Sequence, residues 1–307
     1  MSRSGQGAAR RLVPDYAVPD ALCVPFWGFD VRDTLESVAR AAARHCGVIL
    51  ITPDPAGARA FVDTTCHPGH FGIVAGAFDS PWLRDHAPIS VAQGDRMHLV
   101  RPTRPEGTRK HDLALFETIL PGAKDVTDHH VAGGNLVGGP GGLGFSTTDV
   151  LLENALTEAA PLMETGRQLG LDHWQFLTPF PDDISAHADC MLRFLGPRLC
   201  AICKRDDTPE AREVSTEMRA RLTELCPEID ILPLPCAAAD VFNSPMNWIQ
   251  LGRCLLLPVF DQPDPLAAAR EQALREAGFN PVPIPAMTEG LGGALHCLTA
   301  TIFAAPA

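Results

Sequence analysis

No apolar run in the chain approaches the roughly 18 residues needed to cross a bilayer, so no membrane-spanning helix is expected. Basic charge is also scarce: 25 Lys and Arg stand against 37 Asp and Glu, a formal net charge of −12. That balance argues against nucleic acid or an anionic membrane as a partner, because both need basic surface, and it suits a small cationic ligand. The opening MSRSGQGAARRLVPDYAVPD has basic residues with no apolar stretch behind them. No signal peptide is therefore expected; the protein reads as cytoplasmic, and residues 1–20 read as an N-terminal extension. Disulfide spacing is missing as well. Ten cysteines (23, 46, 66, 190, 200, 203, 226, 236, 254 and 297) are scattered through apolar segments, as expected of reduced and mostly buried thiols, one of which could be a nucleophile. No low-complexity linker interrupts the chain, so a single domain over residues 1–307 is expected, with oligomeric state left open.

The apolar share of 46% is close to the globular average, and it is patterned. Three stretches carry helix signatures. In DVRDTLESVARAAARHCG, Asp30 is the expected N-cap, Val31, Leu35, Val38 and Ala42 form a stripe, and Gly47 is expected to close the helix. In TPEAREVSTEMRARLTELC, Thr208 caps, Pro209 takes the first helical position, and Val214, Met218, Leu222 and Leu225 face inward. In DPLAAAREQALREAGF, Asp264, Pro265 and Gly278 supply the same start and stop signals. Each helix is followed by a short apolar strand (GVILITP, IDILPLP, NPVPIP), and similar strands, LGPRLCAICK and LGRCLLLPVF, precede the second and third. The order strand, strand, helix, strand repeats every 55–60 residues or so, about five units in all, which points to a repeat array packed around a shared centre. An ordinary open α/β sheet is the alternative. The Gly- and Pro-rich stretch 133–144 reads as a loop.

Four segments hold residues able to do chemistry: SPWLRDHAP (80–88), SAHADC (185–190), NSPMNW (243–248) and GLGGALHC (290–297). Singly each has a bland explanation in turns, caps and core packing. Together they suit a guanidinium, which is planar, permanently charged and presents its N–H donors as a fork that a carboxylate can meet with two parallel bonds. Asp85 and Asp189 could grip it from two edges, and the indole of Trp82 could stack on it. Cys297 could then attack the central carbon, while His187 protonates the departing nitrogen and later activates water.

These segments resemble the guanidine-modifying (pentein) superfamily, in the branch of agmatine deiminases and bacterial peptidylarginine deiminases. The matching pieces are WLRD with Pro88, GGN at 133–135, HAD at 187–189, MN at 246–247 and GGALHC near the C-terminus, in the family's order. The resemblance implies a five-bladed, pseudo-symmetric α/β propeller. It implies Cys297 as nucleophile, His187 as general acid and base, and Asp85 and Asp189 as guanidinium binders, with Trp82, Asn135 and Asn247 contacting substrate. Ala132 stands where agmatine deiminases commonly have Glu before the Gly-Gly, so the wording is nearer the peptidylarginine type. Arg101 and Arg104, in RPTRP after a strand, could hold a substrate carboxylate or be solvated surface arginines.

Three other signals are discounted. GPGGLG (139–144) matches a dinucleotide fingerprint, but no apolar strand leads into it and Pro140 occupies the turn. CAIC (200–203) lies inside a strand, where side chains three apart point to opposite faces. DHH (128–130) with HADC lacks metal-site spacing, so neither a metal nor a cofactor is expected. The reading is a hydrolase that converts the guanidinium of a peptidyl-arginine, or of a small arginine derivative, to a citrulline-type product with release of ammonia. Agmatine as substrate, an amidinotransferase with the same thiol intermediate, and an inactive guanidinium-binding module are the alternatives.

Overall fold

The computed structural model describes residues 8–26, 30–103, 110–119, 125–236, 244–288 and 291–303. Its strands form five small sheets, and every sheet repeats one plan. Leu192–Gly196 runs antiparallel to Leu199–Lys204, which runs parallel to Asp230–Pro235 after the helix Pro209–Leu225. Ile249–Leu251, Cys254–Val259 and Asn280–Pro285 do the same around the helix Ala267–Glu276. Val137–Gly138, Leu143–Thr147 and His173–Leu177 form a third sheet, and Ile89–Gln93, Arg96–Arg101 and Asp125–Val126 a fourth. In the fifth, Ala21–Pro25 runs parallel to Gly47–Thr52 after the helix Arg32–Ala42, and its antiparallel neighbour, Ala300–Ile302, comes from the far end of the sequence. The period therefore counts sheets, and the alternative of one continuous open sheet is set aside.

Local chemistry accounts for some element ends. Thr208 Oγ1 accepts from the Ala211 amide, Pro209 follows it, and Val214, Met218 and Leu222 are buried as expected. Gly278, at φ +89°, ends the helix Ala267–Glu276 in the left-handed conformation that favours glycine. Asp264 lies short of that helix, taking the Leu266 amide and the Arg270 guanidinium instead. Asp30 also falls short: Val31 occupies the cap position with no side-chain bond, the helix stops at Ala42, and Gly47 opens a strand.

Two expectations are corrected. Residues 8–20 are not simply an extension, because Arg10–Leu12 pairs antiparallel with Val91–Gln93 and Asp15 beyond it contacts the buried Arg84, Arg193 and His296. The stretch 133–144 is not a loop either. It folds as two tight turns, Gly133–Asn135 and Pro140–Gly142, around the strand Val137–Gly138, and Leu143 opens the next strand. Glycine hides the alternation that would have marked the strand. Cys200 and Cys203 are buried free thiols in one strand. Among the described residues no helix is long and apolar enough to cross a membrane.

Candidate active site

Short turns at the ends of different sheets carry the candidate residues. Leu83–Asp85, Gly133–Asn135 and Ala188–Cys190 are single 3-10 turns, and Cys297 lies in the irregular segment before Ala300–Ile302. Gly134 is glycine for want of space. A Cβ there would lie 2.7 Å from His187 Nδ1, 3.2 Å from Asp85 Oδ1 and 3.3 Å from Asp189 Oδ2. Gly293 is constrained in the same way, since its Cβ would meet the Trp82 indole at 2.8 Å and Cys297 Cβ at 3.1 Å. His187 is aimed by the residue before it: Ala186 adopts φ +50°, uncommon for a side chain, and Asp183 Oδ1 accepts from the Ser185 and Ala186 amides to hold that turn.

These turns converge. Cys297, His187 and Asp189 present Sγ, ring nitrogen and carboxylate oxygen within 4.8 Å of one another. Asp85 Oδ1 lies 3.8 Å from His187 Nδ1 on the other side and receives the Gly134 amide at 3.4 Å. Asn247, fully buried, ties the group together. Its Oδ1 accepts from the Ala294 and Cys297 amides, and its Nδ2 donates to Asp189 Oδ2 at 3.0 Å and Cys297 Sγ at 3.1 Å. Asp189 Oδ2 also takes His296 Nδ1 at 2.7 Å, whereas its Oδ1 is buried with no hydrogen-bond partner among the described residues. Trp82, Asp85, His187 and Cys297 line an open cavity of about 210 Å³, with Ile184 and Leu291 also on its wall. Cys297, His187 and Asp189 are close enough to share a metal ion, which thiol attack on a guanidinium does not require.

Burial works against charge on His187. The Asp85 carboxylate, the hydrogen bond with Cys297 and the Asp189 charge outweigh it, raising the imidazolium to about 10. Burial likewise opposes charge on Asp189, but the His296 hydrogen bond and the charges of His296, His187 and Arg193 hold it below the ordinary carboxylate value. The neighbouring Cys297 sulfur and burial push the Cys190 thiol well up, leaving it a poor nucleophile. A protonated imidazole and a sulfur thus line the cavity beside Asp85, and the ionised Asp189 carboxylate, fully buried, lies next to both without lining it.

Two of the expected substrate residues make other contacts, and a third is not described. Asn135 is buried, and its Oδ1 accepts from the Thr147 and Ala188 amides, so it braces the HAD turn and does not line the cavity. Arg101 ends the strand Arg96–Arg101 and forms an ion pair with Glu117. Arg104 lies outside the described residues. Conversely, four residues with no assigned role stand behind the site: Asp15, Arg84, Arg193 and His296. Arg84 and His296 sat in view, inside WLRD and GGALHC, while Asp15 carried no signal in its own neighbourhood.

The family model of the Porphyromonas-type peptidyl-arginine deiminases matches residues 24–302, nearly the whole chain and every turn just described. The chain belongs to this family. It is accordingly an enzyme of the deiminase kind acting on guanidino groups, on a mixed α/β fold. Solved structures agree on the fold. An agmatine deiminase of C. jejuni is 17% identical with a TM-score of 0.82, covering 100% of both chains. A Porphyromonas gingivalis protein described as an arginine deiminase is 20% identical with a TM-score of 0.80, covering 95% of this chain and 98% of that one. The agmatine deiminase of Enterococcus faecalis is 15% identical with a TM-score of 0.77, covering 98% and 99%. Curated protein sequences yield no match.

Proposed function

We propose that this deiminase hydrolyses the guanidinium of arginine side chains in peptides, releasing ammonia and leaving citrulline through a thiouronium on Cys297. The observation that carries the reading is the convergence of Cys297, His187 and Asp189 within 4.8 Å, with Asp85 and Trp82 on the wall of the same cavity. The carboxylates neutralise and orient the cation, and the Cys297 sulfur attacks the guanidinium carbon, forming a C–S bond. The tetrahedral adduct collapses as His187 gives its proton to one nitrogen, the C–N bond breaks and ammonia leaves. Water, deprotonated by the now neutral His187, adds to the thiouronium carbon. The C–S bond then breaks, and the ureido product leaves the sulfur free.

Ile184 and Leu291, 60% and 52% exposed, give the mouth of the cavity an apolar rim. Such a rim takes a neutral peptide backbone and its flanking side chains better than the second ammonium of agmatine or a free carboxylate. Ala132, buried where agmatine deiminases commonly carry Glu, supports the same choice. A citrulline assay across arginine peptides, free arginine, dimethylarginine and agmatine tests the reading. Peptides are expected to turn over fastest, with ammonia released in the absence of any acceptor amine, and agmatine as the preferred substrate would overturn the assignment. Intact-mass trapping of a Cys297 adduct tests the intermediate, and wild-type turnover by Cys297→Ser would refute it.

A further inference from the structure

We infer that Asp15 and His296 are positioning residues for Asp189, acting as a buried carboxylate–imidazole–carboxylate chain beneath the nucleophile. The inference rests on the proposed reading of Asp189 as a guanidinium binder and adds what makes that residue competent. His296 stands between two acids, with Nδ1 2.7 Å from Asp189 Oδ2 and Nε2 3.2 Å from Asp15 Oδ2. A carboxylate oxygen only accepts, so the bond to Asp189 requires the proton on Nδ1. What the other ring nitrogen meets decides whether the ring keeps that orientation, and here it meets Asp15.

Asp15 is itself gripped from three elements. Arg193 Nη2 lies at 3.3 Å from the strand Leu192–Gly196, Arg84 Nη1 at 3.8 Å from the turn Leu83–Asp85, and His296 approaches from the segment holding Cys297. Arg84 Nε also donates to the His296 carbonyl, and the Arg84 amide to the Cys297 carbonyl, so the same contacts fix the backbone of the nucleophile. With His296, Asn247 and Cys297 all on Asp189 Oδ2, the buried Oδ1, unpartnered among the described residues, is the atom left to take a guanidinium N–H. Despite burial, the His296, Arg193 and Arg84 charges hold Asp15 well below the ordinary carboxylate value. An always-ionised Asp15 thus backs the ring across the working pH range.

The charged and titratable groups facing Asp189 among the described residues are His296, His187, Arg193, Arg84, Cys297, Cys190 and Asp183. Of these only His296 is ordered by Asp15 through a direct contact to Asp189. Asp15→Asn keeps the shape and removes the charge. Asp189 then loses part of its protection from protonation, and the acid limb of kcat/KM is expected to move up by about one pH unit, a tenfold loss on that limb. The change should fall mainly on KM, because Asp189 binds the cation. Asp15→Glu should restore the profile. A profile that superimposes on wild type, or a loss equal at every pH, overturns the inference. Should Asp15→Asn fail to fold, ring 15N–1H NMR of the histidine-labelled wild type asks the same question, and a proton on His296 Nε2 with none on Nδ1 overturns it. A wild-type protein that turns over no guanidino compound counts against the proposed function instead, while the NMR result stands by itself.

Discussion

Gly134→Ala isolates how tightly the site is assembled. The glycine has no positive φ, so alanine costs no backbone strain there and the whole effect is steric. The added Cβ would lie 2.7 Å from His187 Nδ1, and an ordinary contact needs about 3.5 Å, so one partner must move by roughly 0.8 Å. Retreat by the turn is resisted, because a Cβ on the adjoining Gly133 would already press the Arg84 carbonyl at 2.3 Å. His187 therefore moves, away from the position it shares with Asp85 and Asp189. Misplacement of a catalytic group by about 1 Å costs on the order of 10²-fold, and overpacking costs roughly 1–3 kcal/mol of stability. The expected result is a 30- to 100-fold fall in kcat, by that scaling, with far-UV circular dichroism unchanged and a modestly lowered Tm. Gly69→Ala, with nothing within 4 Å of its Cβ, is the control and should leave both quantities as they were. A Gly134→Ala enzyme with wild-type kcat and the predicted loss of Tm would refute the steric argument, since the strain would then have been absorbed away from the imidazole.

Other expectations follow from the same geometry. His187 keeps its proton to about 10, above the ordinary 6.5, so its contribution to stability is full below about pH 6.5 and is lost as pH rises through about 10. Denaturant titrations at pH 6 and pH 10.5 should show that loss, and Asp85→Asn should bring the alkaline limb of kcat/KM to lower pH; an unmoved limb would break the assigned pairing. Arg101→Ala removes an ion pair with a largely exposed Glu117 and should change turnover of arginine peptides by less than about twofold, as partly exposed pairs are worth 0–1 kcal/mol. A large rise in KM for free arginine alone would return Arg101 to the role of a carboxylate clamp.

Much of the fold could be read along the chain. Thr208 and Pro209 announced a helix start, and apolar runs such as GVILIT announced strands, because capping and period are local properties. Reading failed where local signals were thin. The strand Val137–Gly138 is only two residues long and lies between glycine-rich turns, and Asp30 met every compositional rule for a cap that the backbone gave to Val31. The residues of the proposed site were legible for another reason: Cys, His and two Asp are the types that guanidine chemistry needs, and they sit in recognisable wording.

The sequence by itself determined which side chains the enzyme possesses, the repeating unit that became five sheets, and the turns rich in glycine where backbone could approach backbone. Tertiary structure decided their partners. Asn135 became a brace for Ala188, Arg101 a counter-ion of Glu117, and Asp15 a support for His296 some 281 positions later, in the segment that ends at Cys297. The physical reason is that a hydrogen bond or ion pair depends on distance in space, and in this chain His296 and Asp189 meet only because strands from different sheets end beside one another.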